Sequence, residues 1–123
     1  MKHIILSIKP SFSSEIYKGN KIVELRKKIG HGFTENNLIY IYSSSPEKKI
    51  TGHAIIKQVD KMSVADIRSN VINVACISEK PFDDYYRGHD NGFVIWLKDI
   101  VEYETPLPLG TLKETGFTAP QSF

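Results

Sequence analysis

The chain has 123 residues, 41% of them hydrophobic and 24% charged, which fits one soluble globular domain with a single core and excludes a disordered chain. Its formal net charge is only +2, so any case for nucleic acid has to rest on where the charges sit. The lone cysteine, Cys76, excludes an intramolecular disulfide and a cysteine-based zinc cluster, and no apolar run approaches the roughly 18–20 residues of a membrane-spanning helix. A reducing, cytoplasmic setting without membrane contact is the expectation.

Residues 2–9 alternate as a strand, with Ile4, Leu6 and Ile8 on one face and His3, Ile5 and Ser7 on the other. Pro10 stands where a helix can start, and Phe12, Ile16 and Tyr17 recur at helical spacing until Gly19 ends the run. Gly19-Asn20 opens the most informative stretch, a strand over about 21–28. Val23 and Leu25 point to one face and Ile22, Glu24 and Arg26 to the other, with Lys21 at the entrance and Lys27 and Lys28 at the exit. An acid and a guanidinium therefore lie about 6.6–6.8 Å apart along one strand face, where neighbouring elements can close a polar pocket over them.

Gly30-His31-Gly32 is a break, and a loop leads to Asn37. Leu38 to Ser44 alternates as a strand, ended by Ser43-Ser44-Ser45-Pro46. A longer strand covers about 50–59, and Gly52 within it marks a bulge or a close backbone approach. Ser63 caps a short helix carrying Val64, Ile67 and Arg68, residues 70–79 fit neither template, and Lys80 to Arg87 reads as a helix closed by Gly88. Asn91-Gly92 is a turn signal. Phe93 to Lys98 is the next strand, running at most toward Tyr103 before Pro106 and Pro108 break it, and Leu109 to Glu114 is a final turn or short helix. Five strands with three short helices between them predict an α+β, mainly β domain over residues 1–123: one small, strongly curved sheet or barrel with helices at its ends.

Ile5-Leu6-Ser7-Ile8-Lys9-Pro10, the helix ending in Gly19, and Lys21-x-x-Glu24-x-Arg26 together resemble the opening of an ASCH domain, of the PUA-like superfamily. Ile39-Tyr40-Ile41-Tyr42-Ser43-Ser44-Ser45-Pro46 resembles the family's second strand and its serine-rich end. Gly92-Phe93-Val94-Ile95 resembles its late strand, and Ala119-Pro120-Gln121-Ser122-Phe123 its ending, so the likeness runs through nearly the whole chain in order. The resemblance implies a PUA-like β-barrel with a cleft between the first helix and the sheet, and binding of RNA or a modified nucleoside. It also implies a hydrolytic alternative, since some such proteins are amidohydrolases acting on acylated cytidine and others are linked to RNA cleavage. In the amidohydrolase branch a lysine after the helix-ending glycine is catalytic, with a threonine three residues later. Lys21 matches the lysine, and Glu24 stands in the threonine's place.

The predicted cleft is formed by Lys9, Lys21, Glu24, Arg26, Ser43, Ser44, Ser45 and Gln121. A carboxylate accepts hydrogen bonds from a base's exocyclic amine, and a guanidinium forks onto phosphate or a base edge. Lys18, Lys27, Lys28, Lys48 and Lys49 add basic charge around it, and Tyr40, Tyr42, Tyr85, Tyr86 and Trp96 are either core or stacking residues. The bland reading of Glu24 and Arg26 is an ion pair on a solvated face, worth about 0–1 kcal/mol. No metal site or cofactor is expected, because His3, His31, His53 and His89 are scattered with no cysteine cluster beside them.

Two functions compete, beside the bland possibility of an interaction domain with no small ligand. One is a binding module for RNA, single-stranded nucleic acid or a modified nucleoside. The other is a small hydrolase, an amidohydrolase or ribonuclease, with Lys21 and Glu24 as its acid/base pair. The feature that separates them is whether Lys21 is desolvated against Glu24 or splayed into solvent.

Overall fold

The computed structural model describes residues 4–110. Strands β1 (Ile4–Ile8), β2 (Val23–Arg26), β3 (Leu38–Ser43), β4 (Lys49–Ser63) and β5 (Asn91–Leu107) form one sheet in the order β1-β3-β4-β5-β2. Only β1 and β3 run parallel, and the other neighbours are antiparallel. The helices are α1 (Pro10–Lys18), between β1 and β2, and α2 (Val64–Asn70), α3 (Ile72–Ala75) and α4 (Glu79–Tyr85), between β4 and β5.

Local chemistry sets several of these boundaries. Pro10 lies in the first turn of α1, where its missing N–H costs nothing, and Gly19 ends the helix in the left-handed conformation at φ 85°. The Ser63 hydroxyl caps α2 by accepting the Asp66 N–H at 3.1 Å. One face of the sheet buries Leu6, Ile8, Ile39, Ile41, Ala54 and Ile56 against Ile16 of α1. At the other end of the sheet, Val23, Leu25 and Val94 pack against Ile67, Val71, Ala75, Phe82 and Tyr86. Strand β2 thus has a helix-covered apolar face and a second face carrying Glu24 and Arg26, as its alternation predicts.

The expected barrel is corrected: the sheet is open. Strands β1 and β2 are its two edges and share no backbone ladder. They are joined across a seam by the Arg26 side chain, whose Nη2 donates to the Ser7 carbonyl at 2.8 Å. A ladder would bring the strands to about 4.7–4.9 Å, leaving no room for a guanidinium between them.

Two further expectations change. Asn91-Gly92 is the start of β5 and not a turn: it pairs with Met62 and Ser63, and Gly92 lies so close to the Tyr86 ring that a Cβ would sit 2.6 Å from it. Strand β5 also runs through Pro106 to Leu107. Strand β2 covers only Phe93 to Trp96 of β5, so the later residues have a free edge, where a proline breaks no ladder bond. The segment that fitted neither template contains the four-residue α3, and most of the expected turn at 109–114 lies outside the described residues.

Candidate functional site

The seam between the sheet's edges opens into a cavity of about 230 Å³. Ser7 and Ile8 of β1, Lys9 and Phe12 at the start of α1, and Lys21, Glu24, Leu25 and Arg26 on and before β2 line it. Ile77, Pro81 and Tyr85, around α4, close the remaining wall.

Three charged side chains meet here out of water. Lys21, Glu24 and Arg26 are only 3%, 7% and 5% exposed. The Lys21 ammonium donates to the Ala75 carbonyl at 2.7 Å, lies 3.3 Å from Glu24 Oε1, and sits 4.9 Å above the centre of the Phe12 ring. The second carboxylate oxygen, Oε2, accepts from Arg26 Nη2 at 2.5 Å. The Ala75 carbonyl is free for Lys21 because α3 ends there, with Cys76 turning left-handed at φ 55°. The cluster therefore carries a formal charge of +1 among the described residues, and a buried net charge is costly until a counter-charge or strong acceptor arrives. Arg26 Nε is buried with no hydrogen-bond partner among the described residues. This is not a solvated surface pair.

Tyr85 completes the wall. Its hydroxyl accepts the Lys27 N–H at 3.2 Å, and the Lys27 ammonium lies 4.7 Å from the centre of its ring. Burial pushes the Tyr85 phenol above its ordinary value; Arg26 opposes that shift, while Glu24 adds to it. The phenol therefore keeps its proton through the neutral range.

The structure brings Lys9, Lys21, Glu24 and Arg26 to one cavity, with Lys9 exposed at its mouth. Ser43, Ser44 and Ser45 do not join them. Ser43 points inward, with its hydroxyl 2.8 Å from both the Ser13 and the Thr51 hydroxyl, and lines a separate cavity against another face of α1. Ser44 is half-buried and donates its backbone N–H to Ile8, and Ser45 is exposed. Gln121 lies outside the described residues.

Of the candidate stacking aromatics, only Tyr85 reaches the cavity. Tyr40 and Tyr42 pack with Ile5 and Ile50, Tyr86 is core, and the Trp96 indole donates to Asp60 at 3.0 Å. Ser7, Phe12, Ile77 and Pro81 are cavity residues that sequence reasoning missed. Phe12 read as a core position of α1, and the Ser7 contribution is a backbone carbonyl, which leaves no mark in the sequence.

The fold and cavity define a small, mainly β domain built on one mixed sheet, with a charged recess between its edges. The chain belongs to the ASCH domain family, and its residues 1–114 match the family described as "Domain of unknown function (DUF365)". It is 30% identical over 123 residues to the ASCH domain-containing ribonuclease of Zymomonas mobilis, covering 98% of this chain and 82% of that protein. The crystal structure of ASCH from Zymomonas mobilis superposes with a TM-score of 0.87 at 30% identity, over 98% of this chain and 85% of that one. The N-terminal domain of Staphylothermus marinus McrB shares the fold alone, at 15% identity and a TM-score of 0.53, over 91% of this chain and 78% of that one. Among the described residues, no helix is long and apolar enough to cross a membrane.

Proposed function

We propose that the seam cavity binds RNA, single-stranded nucleic acid or a modified nucleoside, holding one nucleotide unit against Lys21, Glu24 and Arg26. The observation that carries this reading is the buried cluster itself: two cations and one anion beside an open cavity, with Arg26 Nε unpartnered among the described residues. Such a site favours a ligand that brings negative charge or strong acceptors, as a phosphate or a base carbonyl does. Each Glu24 oxygen retains a lone pair beyond its ion-pair contact, enough to accept from an exocyclic amine. Tyr85, Phe12, Ile77 and Pro81 supply wall for a base. Lys9 and Lys27 flank the mouth, where neighbouring phosphates would pass. The name of the Zymomonas relative, a ribonuclease, points to the same class of ligand.

One observation favours a second reading, cleavage of RNA in the same cavity: Lys21 is desolvated against Glu24, not splayed into solvent. Glu24 would take the 2′-hydroxyl proton and Lys21 would supply one to the leaving oxygen. Binding leads because both Glu24 oxygens are held in ion-pair contacts and Lys21 is committed to Ala75, Glu24 and Phe12. The acylated-cytidine reading lacks the threonine, which Glu24 replaces.

The test is to screen nucleosides and short RNA and DNA oligomers for binding while following their integrity over hours. The expected result is saturable RNA binding, weakened at least about tenfold in Arg26→Lys, with the oligomers and N4-acetylcytidine left intact. Turnover that disappears in Lys21→Met while binding survives would move the assignment to the enzyme. Absence of binding to every probe would overturn both.

A further inference from the structure

The second cavity has a chemistry of its own. It holds about 320 Å³ and lies between α1, the end of β3, and β4. Four hydroxyls run along its wall in one chain. Ser13 Oγ donates to the Pro10 carbonyl at 3.3 Å, the Ser13 and Ser43 hydroxyls are 2.8 Å apart, Ser43 and Thr51 are 2.8 Å apart, and Thr51 and Tyr17 are 2.6 Å apart. Gly52 makes room for this arrangement, since a Cβ there would sit 2.7 Å from the Tyr17 hydroxyl.

A hydroxyl has one proton to give. In the arrangement in which Ser13 donates to Pro10, Ser43 donates to Ser13, Thr51 to Ser43, and Tyr17 to Thr51. Every proton in the chain is then committed, and what the four hydroxyls have left for a ligand is lone pairs. The rim adds two more acceptors, Glu47 and Glu102, neither of which makes an ion pair among the described residues. Both carboxylates lie near enough to help push the Tyr17 phenol up to about 12, although burial is the main cause. Lys18 is the cation of the lining, and it already faces Glu15 at 3.8 Å. The wall is thus rich in acceptors and net negative at its mouth, the reverse of the seam cavity on the other face of α1.

We propose that this second cavity binds a small organic cation bearing N–H donors, an alkylammonium or a guanidinium group. Its donors would meet the Thr51 and Tyr17 lone pairs while Glu47 and Glu102 balance its charge. A bare metal ion fits less well: no group of three His, Cys, Asp or Glu converges among the described residues, and the space suits several heavy atoms, not one ion. The inference stands apart from nucleic-acid binding at the seam and survives or fails without it.

The test is a titration of the whole protein with putrescine and, separately, with methylguanidinium, read from the backbone amide resonances of Tyr17, Ser43, Thr51 and Gly52. The expected result is saturable shifts at these amides with at least one of the two probes, weakened about tenfold in the exposed double variant Glu47→Gln/Glu102→Gln. Lys18→Ala, which removes a like charge, should tighten binding, and acetate should produce no shift. The proposal is overturned if neither probe saturates, if the double variant binds both equally well, or if magnesium or sodium at matched ionic strength reproduces the same shifts. Amide spectra of the apo variants separate a lost site from a lost fold.

Discussion

Glu24 is the residue on which the seam's charge balance turns. It is the one anion between two buried cations, 3.3 Å from Lys21 and 2.5 Å from Arg26. Glu24→Gln leaves both cations buried without a counter-charge and should cost about 3–5 kcal/mol. Lys21→Met keeps the Glu24–Arg26 pair and a flexible apolar stem against Phe12; its main cost is the Ala75 carbonyl left without a donor, about 1–3 kcal/mol. Urea unfolding should therefore rank Glu24→Gln as the more damaging of the two, and the opposite order would contradict the charge account.

Tyrosines give the residue scale its pH dependence. Burial raises the phenols of Tyr17, Tyr85, Tyr86 and Tyr103, Tyr17 to about 12. Above pH about 10 the unfolded chain releases phenolic protons that the folded protein still holds. Stability from these groups is therefore full below that pH and falls as pH rises through the folded values. Thermal melting over an alkaline series should show a decline that begins near pH 10, and Tyr17→Phe should remove the part that falls between 10 and about 12. A melting temperature flat across that window would contradict it.

At the scale of elements, Gly52 is the position where the fold has least slack. A Cβ there would lie 2.2 Å from the Val101 carbonyl oxygen, which is backbone and cannot step aside. Gly52→Ala should destabilise by about 1–3 kcal/mol through overpacking and should disturb the adjoining bond between Tyr17 and Thr51. Gly19→Ala meets open space and pays only the strain of φ 85°, about 1–2 kcal/mol. Denaturation should find both variants weaker, with the amides of Tyr17 and Thr51 shifted only in the first.

These same elements show what a sequence can and cannot reveal. Strands β1 and β3 were legible because one face must be apolar, and Gly19, Ser63 and Gly52 because a cap or a bulge needs particular residue types. The far reaches of β4 and β5 were not. Lys57, Gln58 and Lys61 on β4 are exposed, and beyond Ile55 β4 no longer pairs with β3, so nothing on that side enforces alternation. Asn91-Gly92 misread as a turn because the glycine is needed for contact with Tyr86, not for a positive φ. The charged face of β2 was visible in the alternation. The placement of Ser43 was not, because its partners, Ser13 and Thr51, come from α1 and β4 and are chosen by packing.

For the whole molecule, the open sheet matters more than its strand count. Its edges do not close, and the gap holds Lys21, Glu24 and Arg26 in a recess that a continuous ladder would fill. Lys9 lines that recess and Lys27 lies over the Tyr85 ring of its wall, in a chain of net charge only +2. RNA affinity should fall with rising salt, with log K dropping by about 0.7 per phosphate contact on a single strand. Lys9→Ala and Lys27→Ala should each reduce that slope by about one contact without changing base preference. A slope unchanged in both variants would remove these lysines from the interface.

The most direct test of the seam as a nucleic-acid site is the Arg26 Nε–H resonance during titration with a short single-stranded RNA. This N–H has no partner among the described residues and belongs to a side chain that lines the cavity. RNA should shift it downfield and slow its exchange with water, with the same saturation curve as the binding itself. RNA that binds while this resonance and its exchange rate stay as they were in the free protein would place the site elsewhere.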